Sequence, residues 1–477
     1  MSWVLGLKAG LLAASALALG CAGERARPEE STFGASSGAA PGPPAAEPLR
    51  YPADPAPLAG EGCRAHQLAH WQPKAPPECA GKRTCVDGAR RFWVNGAPFF
   101  PRGVYNGGHE YASLAASCPP NAPCRQTTPK DAAGFVAMLA SAGFNLVMDR
   151  TLVLDAALRA AVHGDRRVFF AHLLWSEVFT AEGHDAMVAE IEEAAADGDV
   201  VMWFGPDEID LWNNWAQAAA IRRLLRGASV GLDALLAGRF APPGTPYLPP
   251  GEPAHDPHGL PFGAALAYDP GLAQGTLVYD VLLPVTYPVN EPYSLVNEGV
   301  WGTWRIDANE GSGVPVVPVL QMVGIPEMDL WQPSPEHVEA LQASALARGA
   351  RGAFYYNLIG DKPSFAGRRG WFAADDAASW AAYTRMHALG DRLLAVTHGG
   401  ARESAGLEAH LEWRAWTLGE RRVVLIANPT PYERRLDLDA VVAAAGRFVR
   451  HYEDCAPFTA RASALGPFAS LVLEVYP

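Results

Sequence analysis

Apolar residues along most of this chain fall into two alternating kinds of run. Short, almost continuously apolar runs at 100–105, 144–149, 167–173, 200–204, 262–268, 279–285, 314–320 and 352–356 have the character of strands buried on both faces. Longer amphipathic stretches lie between them, among them 131–142, 185–196, 209–227 and 335–348, with the spacing of helices that cover one face. Pro129 and Pro335 stand where the first turn of a helix tolerates proline. Eight strand–helix units in succession predict an α/β fold, a closed parallel (β/α)8 TIM barrel. An open doubly wound sheet would need a glycine-rich phosphate turn after an early strand, and the sequence has none. The fifth strand is the least regular prediction, because a Pro-rich, helix-poor segment at 238–260 interrupts that unit.

The pattern changes at both ends. Ahead of the first barrel strand, 91–94 and 97–100 flank Asn95-Gly96, and Asn-Gly between apolar runs predicts a tight hairpin. From 398 onward, strand-like runs at 411–418, 422–426, 434–438, 448–452 and 470–476 follow one another without helices, with a turn signal at Asn428-Pro429-Thr430-Pro431. They predict a small all-β C-terminal domain, a sandwich. Residues 22–60 are rich in Pro, Gly, Ala, Ser and Glu and lack periodicity, as a flexible tether does. At the start, Lys8 precedes an apolar run at 9–19 that is too short for a mature membrane span and suits a signal peptide. It ends in Leu17-Ala18-Leu19-Gly20-Cys21, which resembles the bacterial lipobox. That resemblance implies cleavage before Cys21, a lipid on its thiol and, with Ala22 following, an outer-membrane destination. The expected organisation is therefore a signal peptide over 1–21, a tether over 22–60, the hairpin and barrel over 61–397, and the sandwich over 398–477.

Composition narrows the class. An apolar fraction of 49% is ample for a large core. The formal charge of -13 argues against a nucleic-acid partner, which would call on basic stripes. Of the seven cysteines, six remain besides Cys21, and an even set in an exported chain predicts disulfides. Cys118 and Cys124 bracket a short loop. Cys63, Cys79 and Cys85 cluster, so that two can pair and the third reach Cys455. The rival reading is a metal site beside His66 and His70.

In such a barrel, the chemistry sits where strands end and the next loops begin. Those ends carry Tyr105 and Asn106, Asp149, His172 and Trp175, Trp203, then Asp207 and Glu208, then Tyr287, Glu291, Gln321 and Tyr355. Carboxylates, amides and aromatics in this mixture suit a carbohydrate, whose hydroxyls need donors and acceptors and whose C–H faces stack on rings. No Ser-His-Asp or Cys-His arrangement and no phosphate loop is legible. Neither a cofactor nor a metal is predicted.

Several of these pieces resemble the large clan of glycoside hydrolases built on this barrel. The start Phe92-Trp93-Val94-Asn95-Gly96-Ala97-Pro98-Phe99-Phe100-Pro101-Arg102-Gly103-Val104 is similar to the opening of many such barrels. Trp203 through Glu208 resembles their fourth strand end, and Asp280 through Pro288 their sixth. The seventh and eighth strands and the tail ending at Tyr476 are similar too, so the resemblance spans roughly the last four-fifths of the chain. It implies Glu208 as general acid/base. The chain departs from the clan in two places: Asp207 precedes Glu208 where the clan has Asn, and Gln321 stands where the clan has its nucleophilic Glu. Asp207 would raise the pKa of Glu208 by like-charge repulsion, although neighbours on an extended chain point opposite ways. The second carboxylate is sought among Glu291, Asp149, Glu327 and Asp361, in falling order. The competing structural reading makes Glu208 a helix-cap partner or surface ion pair, with Asp207 as N-cap. Three functions follow: hydrolysis of an external glycan, non-catalytic glycan binding on the same barrel, or a structural role as an envelope scaffold, which predicts no pocket.

Overall fold

The computed structural model describes residues 50, 52–53, 57–69, 71, 73–105, 131–150, 156–174, 181–205, 215–226, 260–267, 275, 278–289, 303, 305–306, 313–322, 324, 330–356, 377–408, 411–442 and 447–477. In chain order the elements begin with helix α1 (Glu61–Ala69) and strands β1 (Thr84–Val86), β2 (Phe92–Val94), β3 (Ala97–Phe99) and β4 (Arg102–Val104). The repeating part follows: α2 (Ala132–Ser141), β5 (Leu146–Asp149), α3 (Ala156–Asp165), β6 (Phe169–Leu173), α4 (Ala181–Ala196), β7 (Val200–Phe204), α5 (Trp215–Leu225), β8 (Phe262–Leu266), β9 (Val281–Thr286), β10 (Val319–Gln321), α6 (Pro335–Ala347), β11 (Ala353–Tyr356) and α7 (Ala377–Gly399). The tail consists of β12 (Ala401–Glu408), β13 (Leu411–Leu418), β14 (Arg421–Ala427), β15 (Arg434–Asp437), α8 (Leu438–Val442), β16 (Phe448–His451), β17 (Ala462–Leu465) and β18 (Ser470–Tyr476).

Strands β4 to β11 close into a barrel, and every pairing around it is parallel. All eight expected strands are present, including the fifth, β8. Side chains along the strands alternate between two apolar layers, except in β7, where the successive residues Val201 and Met202 both pack inside beside a register shift. Leu146, Met148, Ala171, Leu173, Phe204, Leu283, Val285, Val319 and Phe354 pack inside the barrel. Val147, Phe170, Trp203, Leu282, Leu320, Ala353 and Tyr355 pack outward against helix residues such as Phe135, Leu139, Leu158 and Leu341. Crowding inside accounts for a glycine in β4: a methyl group on Gly103 would run into the Phe354 ring.

Local chemistry sets the helix ends. Asp131 caps α2 by accepting from the Gly134 N–H at 2.7 Å. Just past its end Gly143 has φ 82°, and the His387 side chain approaches so closely that no Cβ fits. Ser334 and His337 form a reciprocal capping box at the start of α6, with Pro335 in the first turn. The hairpin β2–β3 turns at Asn95 and Gly96, with φ of 50° and 76°. It carries Phe92, Val94 and Phe99 against the barrel interior from the N-terminal end, where Phe99 meets Phe169 edge-on at 5.8 Å. Strand β1 adds a third member to this hairpin.

The tail holds a five-stranded antiparallel sheet, β12-β13-β14-β18-β16, and the pair β15–β17. One face of the large sheet packs on α6 and α7 through Trp416, Val423 and Leu425. Its other face meets Leu436 and Leu465 of the small pair, which gives the two-layer arrangement expected. Two of its strands, β12 and β17, were not legible: ARESAGLE and ASAL have little strand propensity, and they pair because neighbours present open edges. Cys79 bonds Cys85, and Cys63 of α1 bonds Cys455 past β16, one pairing within the N-terminal cluster and one across the chain. Cys118 and Cys124 lie outside the described residues. Among the described residues no helix is long and apolar enough to cross a membrane.

The tight Gly103–Phe354 contact yields a prediction: Gly103→Ala destabilises the fold by about 1–3 kcal/mol through overpacking, as measured by urea denaturation.

Candidate active site

Parity within the closed barrel decides which strand-end residues reach the interior. At the C-terminal end, β10 and β11 place Gln321 beside Tyr356. One step past the Tyr355–Val104 pair, Tyr356 is level with Tyr105. One step past the Leu320–Thr286 pair, Gln321 is level with Tyr287. Tyr287, Gln321, Tyr356 and Tyr105 thus form one row across four adjacent strands. The rings touch: Tyr105 meets Tyr356 edge-on at 5.5 Å, Tyr287 stacks on Tyr356 at 6.0 Å, and Phe204 of β7 closes on Tyr105 at 5.4 Å. Tyr356 was missed in favour of Tyr355, because two successive tyrosines give no sign of which one faces inward.

Gln321 holds the rim together with its amide. Its Oε1 accepts from the Val289 N–H at 2.9 Å, and its Nε2 donates to Val289 O at 3.2 Å and to Trp331 O at 2.8 Å. The side chain thus mimics a backbone amide and binds the chain after β9 to the segment before α6. Trp331 also donates its own N–H to Val289 O at 2.7 Å. Its side chain remains 52% exposed, which puts a large ring on a firmly held backbone at the rim. Nothing in the spacing around 331 marks it as a strand end, so periodicity alone does not single it out.

Four candidates expected at the mouth lie elsewhere, and parity is the reason. His172 pairs in register with Asp149 on one side and Trp203 on the other, one residue out of phase with the interior Ala171 and Leu173. Trp203 packs in the layer between strands and helices, edge-on to His172 at 5.6 Å. Fully buried His172 reaches Glu190 of α4, Nε2 to Oε1 at 3.1 Å, and Arg150 pairs with the same carboxylate at 3.0 Å. Asp149 accepts from the Arg150 N–H at 2.7 Å. Burial alone would raise the Glu190 pKa, but hydrogen bonds from His172 and Arg150 outweigh it and hold the carboxyl below its usual value. This cluster fastens α4 to the barrel wall.

Tyr355 is likewise structural. Its hydroxyl donates to His387 Nε2 at 2.9 Å, and His387 Nδ1 donates to Ala142 O at 2.7 Å. Phe144 and Tyr383 press edge-on against its ring. Burial pushes the phenol pKa upward, and it lowers that of His387 to about 3, helped by the nearby Arg102 cation. The candidates Asn106, Trp175, Asp207, Glu208 and Glu291, the alternatives Glu327 and Asp361, and Cys21 lie outside the described residues. The chain leading to Asp207 and Glu208 is placed as far as Gly205, whose N–H continues the ladder to Gly263 O at 2.6 Å. No Cβ fits at Gly205 against the Phe262 ring, so glycine lets β7 run past that ring toward the mouth.

No family model matches the chain, and no curated protein matches it. Among solved structures, a glycoside hydrolase family 5 protein from Bacteroides vulgatus is 13% identical, covering 84% of this chain and 95% of its own, with a TM-score of 0.48. A second glycoside hydrolase is 12% identical, over 83% and 97%, at 0.47. The α-amylase from Geobacillus thermoleovorans, complexed with acarbose, is 9% identical over 73% and 93%, at 0.46. Likeness this slight adds nothing to the residue geometry above.

Two outcomes follow from these contacts. Because His387 takes its proton near pH 3 when folded and near 6.5 when unfolded, the unfolded chain protonates first as the pH falls. Stability is then lost by about 1.4 kcal/mol per pH unit from about 6.5 down toward 3. His387→Gln removes one proton's worth of that slope, as measured by denaturation at successive pH values. Gln321→Glu sets a carboxylate against the Val289 and Trp331 carbonyls. It is expected to cost about 2–4 kcal/mol at neutral pH and to create no new hydrolytic activity, which calorimetry and a glycosidase assay together check.

Proposed function

We propose that this chain is an exported, lipid-anchored glycoside hydrolase of an extracellular glycan, with Glu208 as general acid/base. The supporting observation is positional. Strand β7 delivers the chain at Gly205, three residues short of Glu208, to the same end of a closed barrel as the row Tyr287, Gln321, Tyr356 and Tyr105. Glycosidic cleavage needs one carboxyl to protonate the leaving oxygen and a second to act on the sugar's other face. Asp207 would hold the Glu208 pKa up by repulsion, and Glu291, five residues past the end of β9 in the sequence, is the preferred second carboxylate. Tyr287, Tyr356 and the exposed Trp331 offer rings on which sugar C–H faces stack. The two disulfides fit an oxidising compartment, and Cys21 would carry the lipid.

The second reading is a glycan-binding lipoprotein without catalysis. Gln321 favours it: the place where the resembled clan has its nucleophile holds an amide already engaged with Val289 and Trp331. In either reading the protein acts on carbohydrate at the barrel mouth.

A panel of glycans offered to the purified protein separates the two. Under hydrolysis, Glu208→Gln abolishes turnover of the responsive glycan by at least about a thousandfold while the melting temperature and glycan affinity stay unchanged. Turnover that survives the substitution excludes Glu208 as the acid. Saturable binding with no turnover by the unaltered protein selects the binding reading.

A further inference from the structure

A second cleft lies at the opposite end of the barrel from the tyrosine row. It is narrow and partly open to solvent, and three parts of the chain meet there. Arg91 comes from the hairpin, Arg351 from the turn leading into β11, and His398, Arg414 and Trp416 from the end of α7 and from β13. Three arginines therefore line one narrow space.

Of the three, Arg351 is the one left without a counter-charge among the described residues. Arg91 is paired with Asp87 at 2.7 Å and also donates to His398 O. Asp87 is itself fully engaged by the Trp93 indole and the backbone N–H groups of Ala89 and Arg91. Arg414 Nε donates to Ala347 O at 2.6 Å. Nearby Glu412 is committed to Arg348 at 2.8 Å and to Ser344. Arg351 has one long hydrogen bond, Nη2 to Ala89 O at 3.4 Å, and forms no ion pair with any described carboxylate. Burial, with repulsion from Arg90, Arg414 and Arg91, lowers its pKa to about 10. His398 adds no charge of its own: its Nε2 side is bonded to Phe92 O at 3.1 Å, and burial holds its pKa near 4. Trp416 lines the cleft, 2% exposed, and its indole N–H has no acceptor among the described residues. The Arg351 cation, which has no ion pair among the described residues, and the unused Trp416 donor line one space, and an anion satisfies both.

We propose that this cleft binds a small inorganic anion, with the Arg351 guanidinium as its main partner and the Trp416 N–H as a second donor. The anion links the hairpin, the barrel floor and the β domain by drawing together charges that otherwise repel. It lies at the far end of the barrel from the proposed sugar chemistry and stabilises the fold without taking part in it.

The test titrates the full chain separately with chloride, sulfate and phosphate at constant ionic strength, following the melting temperature and the heat of binding. The expected result is a saturable rise with at least one of the three. Arg351→Met should weaken that anion's affinity at least about tenfold and, with no anion present, melt no lower than the parent, because a repelled cation has gone. Trp416→Phe keeps the ring and removes the donor, so a loss of about threefold or more is expected there. The proposal is overturned if none of the three anions gives a saturable rise, or if both variants bind with the parent's affinity. Should Arg351→Met fail to fold, Trp416→Phe decides alone.

Discussion

Closure of eight parallel strands imposes one constraint on everything else: each strand has an inside and an outside, and a side chain's parity assigns it to one of them. The interior accepts Leu146 and Met148 from one strand and Phe354 and Tyr356 from another, while Val147 and Tyr355 go outward to the helices. Parity makes the floor of the mouth aromatic, because Tyr105, Phe204, Tyr287 and Tyr356 fall in phase. It also withdraws His172 and Trp203 from the mouth, although both stand at strand ends. Standing at a strand end is therefore not sufficient to place a side chain in the mouth of this fold.

The outward strand-end residues perform a different task. His172 with Glu190 and Arg150, and Tyr355 with His387, satisfy polar groups in the layer where helices meet the barrel. Buried polar groups of this kind stabilise only when their partners are in place, so they fix the helices in position rather than act on a ligand. Gln321 does the same for the rim. Its one amide replaces part of a strand ladder and holds Trp331 at the edge of the mouth. The rim is thus built from rigid backbone, which suits a surface that must present rings at fixed positions.

Much of this was legible in the sequence. Eight apolar runs separated by amphipathic stretches were enough to predict the barrel, because strands buried on both faces leave an unusually plain pattern. Asn95-Gly96, Asp131 and Pro335 marked turns and caps through local chemistry alone. What escaped depended on residues distant in sequence. The choice between Tyr355 and Tyr356 is set by His387, 32 residues from Tyr355. The role of His172 is set by Glu190 on the next helix, and β12 and β17 exist because partner strands receive them. A sequence pattern gives periodicity, but phase relative to a closed barrel is a tertiary quantity.

The assignment of inside and outside can be read directly from tyrosine reactivity. Mild nitration of the folded protein, followed by peptide mapping, compares neighbouring rings under identical conditions. Tyr287 and Tyr356, partly exposed at the mouth, should be modified while Tyr355, buried with its hydroxyl held by His387, stays intact. Nitration of Tyr355 ahead of Tyr356 would mean that the phase of β11 is reversed, and the tyrosine row would no longer face the barrel interior.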